Sequence, residues 1–188
     1  TSLEDVSDRF GLAADQVTAV TTLGPTRTVF ATKVAVVVIE AGKATRFDTG
    51  PLDPLATARD RVAGIAEGQV VVVDVAAQTK LAMPLPGVRA LALDANGKVL
   101  AQTEHELFEE SDGRFVSIYA RNDATLHGLA ATPTRTWLGI GDRLASIEGG
   151  TLHVAKPGVA LAADSALVGN PDGDVWALSA GGLVRAGV

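Results

Sequence analysis

Short apolar runs separated by turn signals recur along the whole chain. The clearest unit spans residues 87–119. Its apolar run at 88–93 is short enough for a strand, and an Asp-Ala-Asn-Gly turn signal follows at 94–97. Further strand-like runs lie at 99–103, 106–110 and 115–119, with a second turn signal at 111–113. The pattern therefore predicts a meander of four antiparallel strands.

The same unit repeats imperfectly before and after this stretch. Leu91, Leu129 and Leu167 are spaced by 38 residues, and the sequence Pro-Thr-Arg-Thr occurs at both 25–28 and 133–136. Four strands within a period of about 36–38 residues are typical of propeller blades. We assign the copies to residues 17–50, 55–86, 87–123, 124–158 and 164–188.

The second and fifth copies are less regular. Residues 55–66 could form a helix because alanine and arginine are good helix formers, but the repeat favours two strands. The fifth copy has room for only three strands. Residues 1–16 match no repeat and are predicted to form a short helix or an extended arm. Such an arm could pair with the edge that the missing strand leaves open.

These patterns predict an all-β protein, a small β-propeller of about five blades with four antiparallel strands each. The predicted domains are an N-terminal arm or short helix at 1–16 and a propeller domain at 17–188. The alternative is that the chain forms part of a larger propeller, completed by missing sequence or by another chain. Because Thr1 is not a translation start and the only methionine is Met83, we expect a processed or excised chain.

Composition supports a folded β domain and narrows the classes of partner. Hydrophobic residues make up 47% of the 188 residues, charged residues 20%, and there are 20 glycines. A net charge of −6 argues against nucleic acid as the main partner. No apolar run approaches the ~20 residues of a membrane helix, so we expect no membrane insertion. The chain has no cysteine, which excludes disulfides and zinc–thiolate sites.

The repeat also resembles a known family. Residues 91–103 followed by Leu107 and Phe108 are similar to the blades of bacterial sensor-type propellers, the two-component-regulator propeller repeats. Residues 170–177 and the segment around Trp137 are similar to the same blade segment. The second copy lacks the Asp-x-x-Gly turn of that segment. The resemblance implies a bacterial domain that binds ligands or partners in the periplasm or outside the cell.

One repeat position carries polar residues where the surrounding strand is apolar. The 38-residue period of the repeat places Arg89, His127 and Ser165 at equivalent positions, and Arg59 near the matching place in the second copy. An apolar strand tolerates such residues where water or a ligand reaches them. We predict that Arg59, Arg89, His127 and Ser165 line the channel or its mouth and bind a small anionic or polar ligand. The alternative is a water-filled channel without a ligand.

No established catalytic or metal-binding motif is present in the sequence. His105, His127 and His153 are spaced as in no metal site. The turns at 94–97 and 170–174 offer oxygen ligands, but they lack the later glutamate of a calcium loop. We therefore predict no catalytic residues, no metal and no cofactor.

Three functions remain open at this point. The sequence favours a non-catalytic module that binds a protein partner or a small polar ligand, as a sensor or interaction domain of a larger bacterial protein. One alternative is an enzyme of the propeller lyase or lactonase kind, with a metal site at the channel mouth. The other is a structural domain that assembles with another chain through exposed blade edges.

Overall fold

The computed structural model describes residues 8–12, 16–148, 151–154, 160–162, 165–170, 172–179 and 182–186. These residues form five antiparallel sheets and one 3-10 turn at Asp8–Phe10. In each sheet every strand pairs with the next strand along the chain. The prediction of an all-β, propeller-type fold with about five blades is confirmed. The predicted arm or helix at 1–16 falls mainly on residues 1–7 and 13–15, which lie outside the described residues.

The chain divides into two compact units, Thr1–Pro84 and Leu85–Val188. The first unit contains two four-stranded sheets. Its first sheet comprises β1 (Val17–Leu23), β2 (Arg27–Thr32), β3 (Ala35–Glu40) and β4 (Lys43–Asp48). Its second sheet comprises β5 (Leu55–Ala58), β6 (Arg61–Ala66), β7 (Gln69–Asp74) and β8 (Thr79–Pro84).

The segment 55–66 forms two paired strands, so the helical alternative is wrong. Leu55 pairs with Gly64 and Ala58 with Arg61 across a tight turn. Both faces of β6 are buried, because Val62 and Ala63 point to opposite faces and each is fully covered. Val62 joins Val29, Val36 and Val71 in the core that packs the two sheets together. Burial on both faces overrides the modest helix propensity of alanine and arginine.

The second unit contains three sheets. The third sheet comprises β9 (Ala90–Leu93), β10 (Val99–Gln102), β11 (Glu106–Ser111) and β12 (Arg114–Ala120). The fourth comprises β13 (Leu126–Ala131), β14 (Thr136–Ile140), β15 (Arg143–Glu148) and β16 (Thr151–Val154). The fifth comprises β17 (Leu167–Gly169), β18 (Val175–Ser179) and β19 (Gly182–Ala186) within the described residues.

The turn at 94–97 shows why the repeat signal is readable in the sequence. The Asp94 carboxylate accepts hydrogen bonds from the backbone amides of Asn96 and Lys98, each at 2.8 Å. Gly97 has a φ of +80°, which a glycine adopts without steric strain. Its amide donates to the Asp94 carbonyl at 2.9 Å and closes the turn. The predicted hairpin between β9 and β10 is confirmed.

Two apolar clusters pack the sheets of the second unit against one another. The first joins Leu100 and Leu107 of the third sheet to Leu129 and Leu138 of the fourth. The second joins the fourth sheet to the fifth and is formed by Ala130, Trp137, Leu144, Leu161, Leu167, Val175 and Ala177. Because strand side chains alternate between faces, the third and fourth sheets each bury an apolar face against the following sheet.

Candidate functional site

The first unit contains a pocket of about 510 Å³, a size typical of small-molecule sites. It lies where β1 begins, beside the turn between β2 and β3. The connector at 49–54, which leads from β4 into β5, forms its other side. Seven residues line it: Thr18, Ala19, Lys33, Pro51, Leu52, Asp53 and Leu55. We refer to this cavity as the connector pocket.

Lys33 is held at the pocket by the turn between β2 and β3. The Thr32 side chain is fully buried, and its hydroxyl accepts hydrogen bonds from the amides of Val34 and Ala35, at 3.2 and 3.0 Å. The Lys33 amide donates to the Gln16 carbonyl at 3.1 Å. These bonds fix the backbone of Lys33 while its side chain stays exposed to solvent.

The connector supplies the floor of the pocket and a second charge. The amides of Thr49 and Gly50 both donate to the Val34 carbonyl, and the Asp53 amide donates to the Ile65 carbonyl at 3.1 Å. Leu52 is buried between these anchors and packs directly over Gly64, where an added Cβ would clash with its side chain. The glycine therefore makes room for the apolar floor.

The connector pocket combines an apolar floor with one cation and one anion. Leu52, Leu55, Ala19 and Pro51 provide the apolar surface. The exposed side chains of Lys33 and Asp53 provide opposite charges at the lining. A ligand with an apolar body and both an anionic and a cationic group matches this arrangement chemically.

His127, one of the predicted site residues, is bound within its own sheet. Its side chain is buried, and Nε2 lies 2.6 Å from the Gly141 carbonyl oxygen. Since a carbonyl only accepts, Nε2 carries the proton. The ring packs on Gly139, whose missing side chain leaves the space that the ring fills. Nδ1 is buried and has no hydrogen-bond partner among the described residues.

Ser165 and Arg89 also contact their own sheets. The Ser165 hydroxyl donates to the Leu178 carbonyl, and the Ser165 side chain is buried. Arg89 lies one residue before β9 and is exposed; its Nη2 contacts Glu104 Oε2 at 2.5 Å. Ligand binding by Arg89, His127 and Ser165 stays a prediction.

The placement of Arg59 in this register is wrong. Arg59 lies in the turn after β5, with a φ of +51°, whereas Arg89, His127 and Ser165 lie at or before the start of a first strand. Its carbonyl accepts a hydrogen bond from Arg27 Nη2 at 3.4 Å. The error arose because the irregular second copy offers no Asp-x-x-Gly turn from which to count.

The polar repeat position has a common structural role that the sequence did not reveal. In three sheets a side chain at the start of the first strand bonds to the end of the second strand or just beyond it, 13 to 15 residues later. In the first sheet, the Thr18 hydroxyl likewise donates to the Ala31 carbonyl at 3.2 Å, 13 residues later. We call these bonds strand clasps. Because the acceptor is usually a backbone carbonyl, no residue type marks it in the sequence.

A second, smaller pocket of about 300 Å³ lies in the second unit and is lined in part by Arg121 and Arg143. Arg121 is already paired: Nε and Nη2 contact the two carboxylate oxygens of Asp123 at 2.5 and 2.9 Å. This hydrogen-bonded cation lowers the pKa of the Asp123 carboxyl.

Another ion pair of the second unit shifts a pKa in the same way. The hydrogen bond from Lys98 to Glu109, at 2.6 Å, raises the pKa of Lys98.

Within the described ranges, His, Asp and Glu side chains form no group of three or more that could hold a metal ion. No described helix is long and apolar enough to span a bilayer.

The fold is similar to solved β-propeller-type domains. The extracellular domain of a one-component system from B. thetaiotaomicron matches with a TM-score of 0.61 and 12% identity, over 92% of this chain and 26% of that chain. PorZ, a surface component of the type-IX secretion system of Porphyromonas gingivalis, matches with a TM-score of 0.57 and 17% identity, over 90% of this chain and 24% of that chain. The resemblance to sensor-type propellers is thus confirmed at the level of the fold.

A chain of the mitotic checkpoint complex also matches, with a TM-score of 0.61 and 13% identity, over 93% of this chain and 67% of that chain. The present chain therefore spans about a quarter of the two bacterial proteins and two thirds of this one. No protein-family model matches the sequence, and no curated protein matches it either.

Proposed function

We propose that this chain is a non-catalytic binding module of the sensor kind, which takes a small amphipathic zwitterion in the connector pocket. The observation that carries the proposal is the pocket itself, in which Lys33 and Asp53 stand beside an apolar floor. An amino acid with an apolar side chain has the matching groups. Its carboxylate would face Lys33, its ammonium group Asp53 and its side chain Leu52 and Leu55.

The rigidity of the pocket backbone supports this proposal. Hydrogen bonds fix both the turn that carries Lys33 and the connector that carries Asp53. Ligand pockets are usually preformed in this way, because a fixed backbone loses little conformational entropy on binding. The charged groups lie on loops at the end of a stable β scaffold, where binding residues are commonly found.

Several of the similar structures are extracellular domains of one-component or two-component systems, which supports a setting outside the cytoplasm. We propose that the module is periplasmic or extracellular and belongs to a larger bacterial protein. The ligand, on this view, is a solute that such a sensor samples from outside the cell.

Isothermal titration calorimetry with L-phenylalanine tests the proposal. Hydrocinnamate lacks the ammonium group and phenethylamine lacks the carboxylate, so the three probes separate the two charged contacts. We expect phenylalanine to bind at least about tenfold more tightly than either analogue, since each loses one charge-assisted contact.

Two conservative variants assign the contacts. Lys33→Gln removes the cation, and affinity for phenylalanine and hydrocinnamate is expected to fall while phenethylamine binding is unchanged. Asp53→Asn removes the anion, and affinity for phenylalanine and phenethylamine is expected to fall while hydrocinnamate binding is unchanged. Lys43→Gln, at the exposed start of β4 and outside the pocket lining, is the matched control. If phenylalanine does not bind, or if Lys33→Gln and Lys43→Gln have equal effects, the proposal is wrong.

A further inference from the structure

The fifth sheet has one covered face and one apolar face open to solvent. Leu167, Val175 and Ala177 are buried against the fourth sheet. On the opposite face Val168 pairs with Trp176, and Leu178 pairs with Leu183. Directly paired residues share a face, and so do positions 176 and 178 of one strand. We call these four residues the outer face of the fifth sheet.

The fourth sheet has an equivalent face, and it is covered. Trp137 is the second residue of β14, as Trp176 is of β18. Trp137 pairs with Ala130 and Ser146, whereas Trp176 pairs with Val168 and Arg185. The two tryptophans therefore occupy the same place in their blades.

The two tryptophans differ sharply in burial. Trp137 is 4% exposed and Trp176 is 37% exposed. Val168, Leu178 and Leu183 around Trp176 are each more than half exposed. Arg185 lies over the Trp176 ring, 5.8 Å from its centroid, and its Nε contacts Asp174 Oδ2 at 2.7 Å. That carboxylate partly neutralises the Arg185 guanidinium beside the outer face of the fifth sheet.

Trp137 owes its burial to the next sheet along the chain. Leu167, Val175 and Ala177 of the fifth sheet join Trp137 and Leu144 in one apolar cluster. The third sheet follows the same rule, because Leu100 is covered by Leu129 and Leu138 of the fourth. The outer face of the fifth sheet thus continues a series of interfaces in which each face is covered by the following sheet.

We propose that the outer face of the fifth sheet docks one further antiparallel sheet of the same blade type, carried by residues of the same polypeptide outside 1–188. The strands facing Trp176 in that sheet would present small and branched aliphatic side chains, as Leu167, Val175 and Ala177 do toward Trp137. A similar fold occurs within a longer chain, since about a third of the mitotic checkpoint chain lies beyond the aligned region.

Hydroxyl-radical footprinting with mass spectrometry tests the proposal residue by residue. The 188-residue chain is compared with the complete polypeptide that its gene encodes. In the short chain, Trp176 is expected to be oxidised about ninefold faster than Trp137, following their exposed fractions of 37% and 4%. In the complete polypeptide, the Trp176 rate is expected to fall to that of Trp137.

A pair of substitutions gives an independent measurement. Leu178→Asp is expected to lower the Tm of the complete polypeptide by about 5 °C more than that of the 188-residue chain, because it would place a charge in the docked interface. Val154→Asp, at another exposed apolar position of the second unit, is the control and should shift both chains equally.

Three results would overturn the proposal. Trp176 could stay reactive in the complete polypeptide, or the complete polypeptide could contain no residues beyond these 188. Alternatively, protection of Trp176 in the short chain could grow with protein concentration, in which case a second copy covers the face.

Discussion

The Nε2 atom of His127 lies 2.6 Å from the carbonyl oxygen of Gly141, fourteen residues further along the chain. This contact ties the start of β13 to the residue that follows β14. It is one of the strand clasps, and it gives a buried histidine a structural role at the position where the sequence predicted a ligand contact. A clasp resists separation of the first two strands of its sheet without any contribution from a ligand.

Replacing His127 by alanine is expected to destabilise the fold by about 2–4 kcal/mol, because it removes a buried hydrogen bond and leaves a cavity over Gly139. Urea unfolding followed by circular dichroism measures the loss. His153 is exposed on β16, so His153→Ala should change the stability by less than about 0.5 kcal/mol. Equal losses of stability for the two variants would contradict a stabilising role for the His127 clasp.

Gly139→Ala is expected to destabilise the protein because the added methyl group enters the space of the His127 ring. The loss should be about 1–3 kcal/mol in the wild-type background and much smaller beside His127→Ala. A double-mutant cycle measures this coupling. Additive effects would show that the ring and the glycine do not share the space that the structure assigns to them.

Gly64→Ala is expected to weaken both the fold and the connector pocket. Its methyl group would push against Leu52 and displace the pocket floor, at a cost of about 1–3 kcal/mol in stability. Phenylalanine affinity should fall as well, which calorimetry measures on folded protein. Gly68→Ala is the comparison, since its added Cβ meets no atom nearby and only its positive φ opposes the substitution. Loss of stability with unchanged phenylalanine affinity would show that Leu52 does not contribute to ligand binding.

The pair formed by Arg121 and Asp123 makes a pH-dependent contribution to stability. Because Arg121 lowers the pKa of Asp123 in the folded protein, this contribution is present above the ordinary aspartate pKa of about 3.9. It is lost as the pH falls through the lowered folded value. Carboxyl-detected NMR should show Asp123 titrating below its ordinary range, and Arg121→Gln should return it there. An unchanged pKa in Arg121→Gln would contradict the assigned cause.

The architecture was predictable because its turns are marked by local residues and its four-stranded unit repeats along the chain. Asp94 and Gly97 mark a turn by their own chemistry, and the repeat decided the ambiguous segment 55–66 in favour of strands. The strand clasps were not predictable, because His127 and Ser165 bond to backbone carbonyls that any residue would supply. The connector pocket was not predictable either. Lys33 and Asp53 lie twenty residues apart on different loops and form no motif.

Two locations for a ligand are open to direct comparison: the connector pocket that we propose, and the strand clasps at Arg89, His127 and Ser165, where the sequence predicts ligand contacts. A methyl and amide NMR titration with L-phenylalanine distinguishes them most directly, because each site has its own reporters. We predict saturable shifts at the Leu52 and Leu55 methyl groups and at the Lys33 amide, with Arg89, His127 and Ser165 unchanged. Shifts at Arg59, Arg89, His127 or Ser165 without changes at Leu52 and Leu55 would show that the ligand binds outside the connector pocket. The absence of any shift would show that phenylalanine does not bind.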